Sequence, residues 1–402
     1  MHHTSSPIHV CILTTAHPVD DVRLRRKLAE SLVRDGIQVT WVGPDYQYVE
    51  GPGAPPPLAG CSYQLFVRAR SQMARLFSRR LARTAARVER VDIYLATEPD
   101  SAPVAVALAK KSKARAVFDM HELYDRLHVQ NWVPRFAVPL AGLAVRTLIS
   151  RTCSQCDLVI GVSEGVLAPY RARARECMVV RNCAPKWFAD PRPADVCSAS
   201  RRTFTIMHGK SSVSNGTATV LRALRLASAN VPGLRVVMYQ FDDGAPASAR
   251  ARLAAEIAHL GLTDVVDLRP PIQMAQVPAV LRSCDLGMIG HGRLLRAGTQ
   301  PNRLYEYMAA GLPILAPVYD EGIAPVINAE RCGVLADFED PASIADAIVR
   351  LQANPEMCRD MGRRAREAFL ARHNWEGEVA PLLETLRNWF PDRRRASALR
   401  ST

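Results

Sequence analysis

The sequence predicts an α/β protein made of two Rossmann-like domains whose parallel sheets face a central cleft. Three observations point there. The chain has 402 residues, too many for one compact core and enough for two domains of about 150–200 residues each. Short β-branched runs alternate with helical periods along its length, which is the pattern of βαβ units. The alternation breaks at 184–202 (APKWFADPRPADVCSASRR), where prolines, small residues and charge follow one another without period. That break sets a linker at 186–202 between domains at 1–185 and 203–375.

In the first half the expected strands are 10–14, 38–42, 93–97, 116–119, 158–161 and 178–181. All are near-continuous apolar runs, as strands buried on both faces are. Between the first two, 22–34 places Val22, Leu24, Leu28, Leu32 and Val33 on one side of an amphipathic helix. The basic stretch 68–90 carries Met73, Leu76, Phe77, Leu81 and Val88 as an apolar stripe. It reads as a domain helix buried on one side, with peripheral contact to an anionic membrane as the alternative. Beyond the linker, strands are expected at 204–208, 235–239, 265–268, 286–289, 314–316 and 334–336. Helices at 217–229, 247–260, 302–310, 341–352 and 356–371 separate them, and the Arg-rich tail after Phe390 reads as frayed.

Composition narrows the function classes. The net charge is +13, but no zinc-finger spacing and no aromatic-plus-basic RNA motif accompanies it, so nucleic acid is not the expected partner. Phosphorylated ligands or an anionic membrane surface suit such a charge better. No apolar run reaches the roughly 18–20 residues of a membrane span. The opening MHHTSSPIHV lacks an export signal, so the expected location is the cytoplasm, including the inner membrane face. Ten unevenly spaced cysteines fit reduced thiols there. Cys153-x-x-Cys156 has no second pair at a useful distance and reads as structural, and no metal site is expected.

The most informative segment is 298–313, GTQPNRLYEYMAAGLP. Gly298, Thr299 and Gln300 read as a loop, and Pro301 and Asn302 as a helix start. A glycine-bearing loop feeding a helix N-terminus offers free N–H groups and a positive dipole end to a diphosphate. Glu306, about one turn in, can reach past the phosphates to ribose hydroxyls. The plain alternative is an exposed glutamate on a surface helix.

The string NRLYEYMAAGLPILAP at 302–317 resembles the donor-site helix of GT-B glycosyltransferases, especially the retaining family 4 group. Members carry a Glu, seven residues, and a second Glu on a small-residue helix before Gly-x-Pro. The resemblance makes Glu306 the second Glu, the ribose ligand, and puts Gly298 where the first Glu contacts the donor sugar. It implies a donor cradle of Gly209, Lys210, Arg269, Gly298, Thr299, Gln300, Pro301, Asn302, Leu304 and Glu306. The stretch 207–216, MHGKSSVSNG, is similar to the family's first donor-domain loop. Lys210 would be the cation for the departing diphosphate, and Gly209 would permit close approach. Asn215 stands where a second Lys is usual, and Arg269, Arg293 or Arg296 can replace that charge.

In the first half, HPVDDVRLRRK at 17–27 resembles the opening loop of bacterial members, putting His17, Asp20, Asp21 and Arg23 on the acceptor side. Helix starting by Asp20 and Asp21 is the structural alternative. FDMHELY at 118–124 resembles the family's Asp-x-His-Glu stretch. It makes His121 the sugar contact and candidate acceptor base, with Glu122 and Asp119 as base or orienting groups; a capping cluster is the alternative. GVSEG at 161–165 is a turn in which Ser163 is an N-cap. The family also implies a closing helix at 376–391 that returns to the first domain, with Trp375, Trp389 and Phe390 as anchors.

The expected function is transfer of a sugar from a nucleotide-diphosphate donor, UDP-linked in first instance, to a hydroxyl acceptor with retention, and without a bound metal. A sugar-nucleotide epimerase, a non-glycosidic coupling enzyme and a silent nucleotide-sugar-binding partner share the scaffold as alternatives.

Overall fold

The computed structural model describes residues 6–45, 58–67, 79–127, 129, 133–190, 203–211, 216–239, 247–295 and 300–393. The chain divides into two units, Met1–Arg181 with Gly377–Thr402, and Asn182–Glu376.

The first unit holds a seven-stranded sheet of β1 (His9–Leu13), β2 (Gln38–Asp45), β3 (Cys61–Val67), β4 (Ile93–Ala96), β5 (Arg115–Met120), β6 (Leu158–Gly161) and β7 (Cys177–Val179). Its order is β3-β2-β1-β4-β5-β6-β7, every pair parallel. Val10 sits between Val39 and Ile93, and the whole of β1 is buried, as a central parallel strand requires. β3 was not among the expected strands. It is an edge strand whose described side chains are only partly buried, so its apolar pattern is weak.

The second unit holds a six-stranded parallel sheet of β8 (Phe204–Lys210), β9 (Leu234–Tyr239), β10 (Val266–Arg269), β11 (Leu286–Met288), β12 (Ile314–Pro317) and β13 (Gly333–Ala336), in the order β10-β9-β8-β11-β12-β13. Core lies on both faces: Ile206, Val236 and Met238 pack to one side, Met207 and Val237 to the other. Gly287 is forced by packing, because a Cβ there would meet the Tyr307 ring at 2.3 Å.

Several expectations change. The expected helix at 22–34 is a π-helix over Leu24–Ala29 that passes into an α-helix over Glu30–Arg34. Of the basic stretch 68–90, the part up to 78 lies outside the described residues, and Arg79–Ala85 is a helix with Leu81 and Ala85 buried. Helices Ala102–Ser112, Val138–Cys153, Val277–Arg282 and Ala324–Glu330 were not singled out in the sequence. The start of the expected linker is not a spacer: Ala184, Phe188 and Ala189 are core of the second unit, while 191–202 lies outside the described residues. In the last helix, Trp375–Asn388, the chain from Gly377 onward belongs to the first unit. Its buried anchors there are Val379, Leu382 and Leu386. Trp375 instead donates its N–H to Ala184 in the second unit, and Trp389 and Phe390 are half-exposed. Among the described residues, no helix is long and apolar enough to cross a membrane.

Candidate functional site

Ligands of open parallel sheets bind outside the carboxyl ends of the strands, where the strand order reverses. That point lies between β1 and β4 in the first unit and between β8 and β11 in the second. Each carries a polar cluster.

In the first unit the cluster centres on Glu98, just past β4. Its carboxylate accepts from the Thr14 hydroxyl (2.5 Å), the Ser101 hydroxyl (3.0 Å) and the N–H groups of Thr15 (3.1 Å) and Ala16 (3.2 Å). These bonds fix the turn that leaves β1 and presents His17. His17 Nδ1 lies 2.9 Å from Asp21 Oδ2, and its Nε2 lies 3.6 Å from Glu98. The other Asp21 oxygen accepts from the Leu24 N–H (2.8 Å), so this residue does begin the helix and also pairs with His17. Burial works against a charge on His17, but the Asp21 bond and the carboxylates of Asp21, Glu98 and Asp119 outweigh it and raise its pKa to about 9. Burial likewise opposes charge on Asp21, and His17 overcomes it and lowers the carboxyl to about 2. His17 is thus a cationic donor at neutral pH. Asp20 is exposed on the same turn.

The His17 ring meets the His121 ring edge-on, with centroids 5.1 Å apart. His121 follows β5, and its Nε2 lies 3.0 Å from Asp119 Oδ2. Asp119 is held in turn by Arg23 Nε and Nη2, at 3.0 and 2.7 Å, while Arg23 Nη1 donates to the Val180 carbonyl (3.0 Å). Burial opposes the Asp119 charge, yet Arg23 and His121 keep its carboxyl well below the usual range. Asp119 is thus held ionised between Arg23 and His121. Glu122 is half-buried beside it. His17, Asp21, Arg23, Asp119 and His121 come together; Glu98, which lies beside His17, was missed in the sequence, where its only signal is a carboxylate directly after a strand (ATEPD).

In the second unit Pro301 is the N-cap of helix Asn302–Ala310, with Glu306 half-buried on it. Arg303 Nη1 donates to the His208 carbonyl (2.7 Å). Gly209 has φ +76°, and a Cβ there would lie 3.0 Å from Arg303 Cδ, so the strand-end bulge between Met207 and Gly209 is shaped to admit that arginine. Lys210 closes β8, half-buried. His208 is fully buried and neither ring nitrogen has a hydrogen-bond partner. Burial first, then Arg303 and His291, push its pKa down to about 3. His291, just past β11, pairs with Asp320 (2.9 Å). Arg303, His208 and His291 were all missed, being ordinary residues in the sequence whose roles come from the fold.

Other residues of the expected cradle have partners of their own or lie in the core. Leu304 is wholly in the core, because its position on the helix faces the sheet. Gln300 is occupied internally: its Nε2 donates to the Gly322 carbonyl (2.9 Å) and its Oε1 accepts from Tyr305 (2.7 Å). Arg269 pairs with Asp267 (2.5 Å), and Arg293 stacks over the Tyr319 ring at 5.0 Å. Gly298, Thr299, Arg296 and Asn215 lie outside the described residues. Ser163 is an N-cap, accepting from the Val166 N–H. Cys153 and Cys156 are buried free thiols, and no group of three or more metal-ligating side chains occurs among the described residues.

Residues 23–183 match the family model Glycosyltransferase Family 4, and residues 198–368 match Glycosyl transferases group 1. A D-inositol 3-phosphate glycosyltransferase of Acidothermus cellulolyticus is 26% identical over 221 residues, 52% of this chain and 48% of that one. The chain thus spans about half the length of the curated relative it matches. Among solved structures, the sucrose-phosphate synthase of Thermosynechococcus elongatus superposes with a TM-score of 0.72 at 15% identity, covering 96% of this chain and 100% of that one. The HepE protein of Anabaena, solved with UDP, gives 0.71 at 16% identity, covering 95% and 100%. At such identity the likeness is one of fold.

Proposed function

We propose, on the premise that the chain belongs to the family 4-like GT-B glycosyltransferases, that it transfers a sugar from a nucleotide-diphosphate donor, UDP-linked, to a hydroxyl acceptor with retention of configuration. The observation that carries the donor side is the approach of Arg303 to the Gly209 bulge at the β8/β11 switch point. It brings a guanidinium, Lys210 and the N-terminal end of helix Asn302–Ala310 to one strand end. In this reading Lys210 and Arg303 supply positive charge to the diphosphate as its bond to the sugar breaks. Glu306 accepts from the ribose hydroxyls. UDP as the nucleotide is supported by HepE, which binds it on the same fold.

The first unit serves the acceptor and the transferred sugar. His121, its Nε2 committed to Asp119, is the proposed sugar contact. His17, cationic at neutral pH, and Glu98 shape the acceptor subsite, and an inositol or sugar phosphate is the favoured acceptor class by likeness to the curated relatives. The test is a thermal-shift screen of UDP-, GDP- and dTDP-sugars on the purified chain, followed by product analysis with the best donor in the presence of a metal chelator. A preference for UDP-sugars and an axial-retaining product are expected. Shifts with GDP- or dTDP-sugars alone would replace the donor assignment, and an inverted product the stereochemical one.

A further inference from the structure

The first unit carries an apolar helix face that the site does not use. Helix Val138–Cys153 packs inward through Ile149, Thr152 and Cys153. Its other side, with the turn that precedes it, exposes Phe136 (88%), Leu140 (74%), Leu143 (62%) and Leu148 (47%). Leu140, Leu143 and Leu148 line one open groove with Ala144 and Thr147. Large apolar side chains scattered singly on a surface are ordinary; three leucines along one helix, with Phe136 in the turn before it, are not.

Charge says what covers this face. From residue 126 to residue 156 the sequence has four arginines and no acidic residue. Arg146 and Arg151 are exposed on the helix itself. At its far end Lys110 Nζ bonds the Gln155 side chain (2.6 Å), which brings the exposed Lys110, Lys111 and Lys113 alongside. A leucine and phenylalanine stripe flanked by the exposed Arg146, Arg151, Lys110, Lys111 and Lys113 matches the boundary of an anionic bilayer, where the apolar groups enter the acyl region and the cations meet headgroup phosphates. A second copy of the chain fits worse, because a two-fold pairing of this helix would bring like charges together.

We infer that the exposed face of helix Val138–Cys153 docks the protein on an anionic lipid bilayer. The sequence offered the basic stretch 68–90 for such contact, of which 68–78 lies outside the described residues; the surface inferred from the structure is a different one. The inference is independent of the proposed reaction, since its readout needs no turnover. Full-length protein is sedimented with vesicles of phosphatidylcholine alone or mixed with phosphatidylglycerol, at low and high salt. Pelleting with the anionic vesicles only, weakened by salt, is expected. Leu140→Glu with Leu143→Glu should weaken partitioning by about tenfold or more, and Arg146→Ser with Arg151→Ser by about tenfold, both with unchanged melting because these side chains are exposed. Three results would overturn the inference. The parent could stay in solution with anionic vesicles. Both variants could pellet as the parent does. Or sedimentation equilibrium could show a dimer that the leucine variant dissolves, with no vesicle binding, which gives the face to a second copy. Should the leucine variant misfold, the arginine variant and Phe136→Ser carry the same comparison.

Discussion

Arg23 grips Asp119 across 96 positions of sequence, its Nε and Nη2 lying 3.0 and 2.7 Å from the two carboxylate oxygens, with both side chains buried. Removing one partner of such a pair leaves an uncompensated charge in the interior, which is costlier than never having had the pair. The grip also sets where His121 points, because Asp119 Oδ2 accepts from both residues.

Arg23→Ala should therefore destabilise the protein by about 3–5 kcal/mol in urea unfolding, and Arg23→Ala with Asp119→Asn by clearly less. Equal losses in the single and double variants would mean the pair contributes only packing.

His121→Ala is expected to cut turnover by about 10²–10⁴-fold with little change in melting temperature. A capping histidine would behave the other way round, losing stability while each folded molecule kept its rate. Turnover and melting measured on one preparation separate the two.

The donor side is tested at Glu306 and Lys210. Glu306→Ala should weaken UDP binding by about 1.5–3 kcal/mol, the scale of a charge-assisted hydrogen bond, as read by calorimetry. Lys210→Ala should lower the rate of the chemical step more than ground-state donor affinity, since charge on the leaving group grows toward the transition state. Unaltered UDP affinity in the first variant, or equal losses in the second, would reassign these roles, with Arg303 next in line for the cation.

His208 makes a prediction of the opposite sign. Its unbonded ring nitrogens are a burden on the fold, so His208→Leu should leave stability at pH 7 unchanged or raise it by about 1 kcal/mol. The pH response follows from its depressed pKa. Below its ordinary value of 6.5 the unfolded chain takes up a proton that the folded chain refuses until about pH 3. Stability then falls as pH drops through that window, by at most about 1.4 kcal/mol per pH unit. The leucine variant should lose less on acidification, and urea midpoints at pH 7 and pH 4.5 on both proteins measure it. Parallel curves would mean that His208 stays protonated or bonded when folded.

On the alkaline side the His17–Asp21 pair sets the slope. His17 titrates at about 9 in the fold, above its ordinary 6.5, so its contribution is complete below about pH 6.5 and is lost as pH rises through 9. His17→Asn should flatten the decline of melting temperature across that range. An unchanged decline would assign it to other groups.

What the sequence disclosed and what it hid divide along one line. Central strands such as β1 and β8 were legible because burial on both faces makes them continuous apolar runs, and Pro301–Asn302 was legible because helix starts have local rules. Edge strand β3 lacks that apolar run. Leu304 and Gln300 sit in a segment with a strong motif, yet helix phase turns the first into the core and a local bond to Gly322 occupies the second. Glu98 and Arg303 went unseen because their partners, Thr14 and His208, lie 84 and 95 positions away. Local pattern carries elements; the cross-chain pairs that make a site are set only when the sheets form.

The first unit is assembled from two stretches of chain, Met1–Arg181 and Gly377–Thr402, with the whole second unit spliced between them. On the ribosome this imposes an order. The second unit can complete itself as soon as Glu376 has emerged, whereas the first must wait, the seats of Leu382 and Leu386 empty, until the stretch from Gly377 onward has followed. A nascent chain halted before Gly377 is thus a finished second unit tethered to an open first one, which is the species a chaperone would meet.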